Sequence, residues 1–139
     1  MEERALFRHH DLGVLEAGIG DDEFTGWIEE LDQSIAVIDG SGFSTTPFTV
    51  NPELSAELGM GAGIWVKDET RNVAGSHKAR HLASILLHLR TAERLRKTKN
   101  RPPLAIASCG NAALAAATLA VKVDWPLDVY VPIWMDDAF

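Results

Sequence analysis

The sequence predicts an α/β fold of parallel strands flanked by helices. Three observations carry this expectation. Short apolar runs at residues 63–66, 104–107 and 129–131 have strand length, amphipathic stretches at helical spacing lie between them, and small polar turns mark each switch from one period to the other.

The first twenty residues read as loosely structured, with His9 and His10 in a tail. Asp21, Asp22 and Glu23 suit the positive end of a helix. Phe24, Trp27, Ile28, Leu31, Ile35 and Ile38 then recur on one face, and Gly40-Ser41-Gly42 stops the helix. Asn51 and Pro52 open a second, short helix that Gly59 ends. The run Gly63-Ile64-Trp65-Val66 is a strand. Gly75 and Ser76 form a turn and a cap, and a long helix follows from about residue 76 to residue 97 with Leu82, Ile85, Leu86 and Leu89 at helical spacing. Pro102 and Pro103 break that helix before the strand Leu104-Ala105-Ile106-Ala107. A helix of small residues begins near Ala112, and Val129-Tyr130-Val131 is a further strand after the turn at Trp125 and Pro126.

Composition narrows the function classes. The 139 residues are 46% hydrophobic, which is globular rather than disordered. A net charge of −7 argues against a nucleic-acid partner. Residues 1–40 hold eleven acids against Arg4 and Arg8, whereas Arg90, Arg94, Arg96, Lys97, Lys99 and Arg101 crowd the end of the long helix, where cations complement the dipole. One cysteine excludes an intrachain disulfide, no apolar run has membrane-spanning length, and no signal-peptide pattern opens the chain. A cytoplasmic location without membrane association is the expectation.

Lys78 is the lead candidate for chemistry. It lies on the first turn of a helix, beside the positive end of the dipole, so it either points into solvent or serves as a reactive amine. The dipole supplies about one pKa unit, which leaves the rest to burial or to a covalent imine. Ser108, Cys109, Gly110 and Asn111 form a polar turn between a strand and a helix N-terminus, an arrangement that gathers backbone N–H groups around an anion. The bland alternative is a βα connection capped by Asn111. The glycines of 59–63 precede a strand, so they read as a helix stop rather than a dinucleotide loop. His77 and His81 are four apart but lack a third ligand, so no metal is expected.

Taken in order, Thr46-Pro47-Phe48, the strand ending Lys67-Asp68-Glu69, Gly75-Ser76-His77-Lys78 and Ser108-Cys109-Gly110-Asn111 resemble fold-type II pyridoxal-phosphate enzymes. That family includes threonine synthase, threonine dehydratase, cysteine synthase and the tryptophan synthase β chain. The resemblance spans about residues 45–132. It implies that Lys78 is the Schiff-base lysine and later moves a proton at the substrate α-carbon. It implies further that His77 lies near the cofactor phosphate, that Asn111 contacts the cofactor ring hydroxyl, and that Ser108, Cys109, Gly110, Asn111 and Ala112 bind the substrate carboxylate. Cys109 departs from the family's frequent serine, and Ala112-Ala113 from its frequent His-Gly or Thr-Gly pair.

The implied fold is a partial fold-type II enzyme, incomplete at the C-terminus. Its segments would be an extension with one amphipathic helix (1–44), the first part of the large cofactor domain (45–100) and the beginning of a smaller domain (101–139). The glycine-rich phosphate loop of the family would follow residue 139. The implied function is that of a fragment of a lyase or synthase acting on amino acids by α,β-elimination or β/γ-replacement, threonine synthase- or threonine dehydratase-like. It would be a homo-oligomer when intact and inactive as this piece alone. A non-catalytic α/β binding or interaction module without cofactor is the alternative.

Overall fold

A computed structural model describes residues 16–97 and 100–135. The expectations for the first fifteen residues, including His9 and His10, lie outside the described residues. Helix α1 (Asp21–Asp39) opens on three acids, buries Phe24, Ile28, Leu31 and Ile35, and closes at Gly40, whose N–H donates to Ala36 O. Ile38 is half exposed, so the inward stripe ends one turn earlier than its periodicity suggests. The chain then turns back over α1. The Phe43 N–H donates to the Asp32 carboxylate, and a Cβ on Gly42 would lie 2.6 Å from the same carboxylate, so a larger residue there would displace the Asp32 side chain.

Strand β1 (Phe48–Asn51), helix α2 (Pro52–Glu57) and strand β2 (Ile64–Lys67) follow. Asn51 caps α2 by accepting the Leu54 N–H at 2.9 Å, with Pro52 in the first turn. Ser55 Oγ donates to Asn51 O and accepts the Ile64 N–H, which ties the helix to both strands. The expectation of parallel strands is corrected here. β2 pairs antiparallel with β1, from Phe48 opposite Lys67 to Asn51 opposite Ile64. The connection of residues 52–63 folds back through α2, and β1 itself is too short and too exposed to read as a strand from sequence.

Beyond a 3-10 turn (Val73–Gly75), helix α3 (Lys78–Arg96) leads to β3 (Leu104–Ala107), α4 (Asn111–Lys122) and β4 (Leu127–Tyr130). β3 and β4 are parallel neighbours joined through α4, as the alternation of strand and helix predicts. β4 begins two residues earlier than expected. Trp125 and Arg101 set that corner: the indole N–H donates to Pro102 O at 2.9 Å, and the Arg101 guanidinium stacks over the indole 5.0 Å from its centre. Arg101 also donates to Val123 O and pairs with Glu93, and that partnership raises its pKa above the usual arginine value.

The core lies between α1, α3 and α4. Ile35 and Leu119 are fully enclosed, and the 73–75 turn packs into the same cluster through Val73. α3 buries much of the face its large apolar residues mark: Leu86 is buried and Leu82 and Leu89 pack against the core, while Ile85 is partly exposed. Its other buried positions are Ala79, Ala83, Leu87 and Thr91, and it packs on α4. Leu82, Ile85 and Leu86 also line an apolar groove of about 260 Å³ with Leu104, Ile106, Leu119 and Leu127. Among the described residues no helix is long and apolar enough to cross a membrane.

Candidate active site

The lysine helix starts from an unusual piece of backbone. Ala74 (φ 53°, ψ 28°) and Gly75 (φ 59°) are successive left-handed residues, which reverse the chain between β2 and α3. For alanine this conformation costs roughly 1–2 kcal/mol, so the surroundings must hold it. Asn72, almost fully buried, spans the turn with its side-chain amide donating to Ser76 O at 2.9 Å. The Ala74 N–H donates to both oxygens of Asp39 at 3.1 and 3.2 Å. Ser76 is extended and buried, and its Oγ accepts the Lys78 N–H at 3.3 Å. It therefore caps the helix as the sequence predicts, with helical geometry already present at His77. His77 and Lys78 are both exposed, so the amine projects from the first turn into open space.

A network that motif reading missed braces this turn from the other side. Glu69, two residues beyond β2, accepts from Thr46 Oγ1 at 2.6 Å and from Arg80 Nε at 3.1 Å. Arg80 continues to Ser44 O at 2.7 Å, and Lys67 Nζ donates to Thr46 O at 2.7 Å. Burial is the largest influence on the Glu69 carboxyl and pushes its pKa up. Hydrogen bonds from Thr46 and Arg80 and the charges of Arg80 and Lys67 together outweigh it and leave the pKa below the usual glutamate value. Arg80 lies two residues beyond Lys78, so the pair clamps the first turn of α3 to the 44–46 segment. The spacing of Lys67, Glu69 and Arg80 around the lysine motif is the only sequence signal for it.

The second motif lies at the start of α4. The Ser108 N–H donates to Tyr130 O at 3.1 Å, which fixes the loop to β4. Gly110 precedes the helix with no side-chain cap, and a Cβ there would meet nothing within 4 Å. Ser108 and Ala112 are half buried, whereas Cys109, Gly110 and Asn111 are exposed. The Ala113 and Leu114 N–H groups donate to Gly110 O at 2.9 and 3.2 Å, so the N–H groups ahead of the helical hydrogen bonds are those of Asn111 and Ala112. α4 packs on both α3 and the 73–75 turn, so the two motifs sit on elements in direct contact. Among the described residues no side-chain hydrogen bond joins Lys78 or His77 to Ser108, Cys109, Gly110, Asn111 or Ala112. Nor does any group of three or more His, Cys, Asp and Glu side chains lie together in a way that could hold a metal.

These donors suit an anionic aldehyde cofactor: one exposed primary amine, one free carboxamide at a helix start, and a glycine-opened set of backbone N–H groups. An α/β domain with a lysine presented at a βα junction is the class of protein that fold and site define. The sequence model of the pyridoxal-phosphate dependent enzymes matches residues 41–138, and the chain belongs to that family. Its cofactor is pyridoxal 5'-phosphate. No curated protein and no solved structure gives a significant match.

Proposed function

We propose that this chain carries the lysine-bearing part of a lyase or synthase that acts on amino acids by α,β-elimination or β/γ-replacement, in the manner of threonine synthase or threonine dehydratase. The observation that carries the reading is the capped start of α3, which presents Lys78 exposed on an element packed against the helix that Asn111 begins. When bound, pyridoxal phosphate supplies an electron sink that acidifies the α-carbon of an amino acid. Lys78 would hold the cofactor and would move the proton at that carbon. Asn111 donates to the ring hydroxyl oxygen. The N–H groups around Gly110 receive the substrate carboxylate, with Ser108, Cys109 and Ala112 shaping the loop. His77, adjacent to Lys78, contributes to the phosphate side.

The test is reaction of the chain with pyridoxal phosphate, borohydride reduction and peptide mapping. The label is expected on Lys78 and is expected to disappear in Lys78→Ala. A label confined to Lys67 or spread evenly over the lysines would reject the assignment. Absence of any cofactor absorbance would favour a non-catalytic scaffold instead.

A further inference from the structure

We propose that Asp39, the last residue of α1, is a positioning residue for Lys78. The inference rests on the cofactor reading above. Its own ground is the contact between α1 and the turn that launches the lysine helix. α1 spans residues 21–39 and so lies wholly ahead of the segment that matches the family, residues 41–138. Nevertheless its final side chain reaches Ala74, in the turn immediately ahead of the lysine motif. Both carboxylate oxygens of Asp39 accept the Ala74 N–H, and Ser41 Oγ donates to one of them at 3.2 Å.

Two features give this contact a purpose beyond packing. An acid at the end of α1 faces the negative end of that helix's dipole, and the last turn of α1 has no basic residue to offset it. The carboxylate is placed against the local field, and its favourable partners are the Ala74 amide and the Ser41 hydroxyl. In turn, the Ala74 N–H is a backbone donor that the hydrogen bonds inside the turn do not use. Gly75 N–H goes to Asn72 O at 2.8 Å and Ser76 N–H to Val73 O at 3.4 Å, both inside the turn. Backbone N–H groups in such left-handed steps seek an anion. Here the chain's own carboxylate fills that role and fixes an alanine in a conformation it seldom adopts. The turn so fixed sets where Ser76 caps α3 and hence the direction in which Lys78 leaves the helix. Asp39 touches neither cofactor nor substrate in this arrangement. It acts through Ala74.

The experiment compares the 139-residue chain with Asp39→Ala and Asp39→Asn. Pyridoxal phosphate alone is the probe. Borohydride-trapped product is quantified at Lys78 and at Lys67, Ala74 amide exchange is followed by NMR, and the thermal midpoint is recorded. Loss of a charged hydrogen-bond acceptor is expected to raise the half-saturating cofactor concentration at Lys78 by about tenfold or more in Asp39→Ala, with a smaller rise in Asp39→Asn, which keeps one oxygen. Trapping at Lys67 should stay unchanged, so selectivity for Lys78 falls in the same order as Ala74 exchange accelerates. If Asp39→Ala does not fold, Asp39→Asn decides. Faster Ala74 exchange with unaltered selectivity for Lys78 would overturn the proposal, as would unaltered exchange in a folded Asp39→Ala. Should the unsubstituted chain give no product at Lys78, the cofactor reading fails first and this inference falls with it. Should that chain react and both variants match it, this inference alone fails.

Discussion

Asn111 and Glu69 divide the work around Lys78 between contact and support. Asn111 is exposed at the first position of α4, so replacing it costs the fold little, and its proposed partner is the cofactor. Asn111→Ala is expected to weaken cofactor capture by about 10- to 150-fold, the equivalent of a charged hydrogen bond worth about 1.5–3 kcal/mol, in a titration followed by absorbance. The thermal midpoint should not move. Glu69 behaves in the opposite way. Its carboxyl has a folded-state pKa below the unfolded value, so the unfolded chain binds more protons in between. The stabilisation is fully present above the ordinary glutamate pKa of about 4.3 and is lost as pH falls through the depressed value. Urea midpoints taken from about pH 6 to about pH 3 should therefore fall less steeply in Glu69→Gln than in the original chain. A parallel fall in both would show that Glu69 is not a source of the acid sensitivity. Asp39 was not singled out in the sequence, and Glu69 stood there only as part of the Lys67-Asp68-Glu69 strand ending, because each acts through a contact with residues 35 and 11 positions away respectively.

Among the elements, the helices were legible wherever large apolar residues marked the inward face. α1 follows its Phe24, Ile28, Leu31 and Ile35 stripe closely. α3 follows its stripe in part: Leu86 is buried and Leu82 and Leu89 pack against the core, while Ile85 is partly exposed. The buried Ala79 and Ala83 carried no size signal and so were not read as core positions. β1 was missed because three of its four residues are exposed, so it has no buried alternation to read. Its antiparallel pairing with β2 could not be foreseen, since strand direction depends on how the connection folds. The turn chemistry was more legible, as Asn51-Pro52 and Gly75-Ser76 both stand where their caps require. The small-residue contact between α3 and α4 yields its own prediction. Ala115 is fully buried, so Ala115→Leu inserts volume where no space exists and should destabilise the chain by about 1–3 kcal/mol in denaturant unfolding. Leu114→Ala on the exposed side of the same helix should change stability by less than about 0.5 kcal/mol.

For the whole molecule, two small sheets leave much apolar surface uncovered. β3 and β4 form a two-stranded parallel sheet, although such sheets are ordinarily covered on both faces and two strands are marginal alone. Tyr130, Val131, Ile133 and Trp134 continue from β4 into solvent, and Ile133 is completely exposed. The β1–β2 pair presents Phe48 and Trp65, stacked 5.2 Å apart and each more than half exposed. Apolar surface of this kind favours association. Sedimentation velocity at rising protein concentration should therefore show assembly, and added salt should not dissolve it, because screening acts on charges rather than on apolar contacts. Trp65→Lys and Ile85→Lys separate the two surfaces responsible. The first removes the hairpin patch and the second closes the apolar groove to a partner. Neither side chain lies in the core, so each variant should retain the parent thermal midpoint. A shift toward monomer in only one of them locates the contact, and a concentration-independent monomer for the unsubstituted chain would show that these surfaces are tolerated in water as they stand.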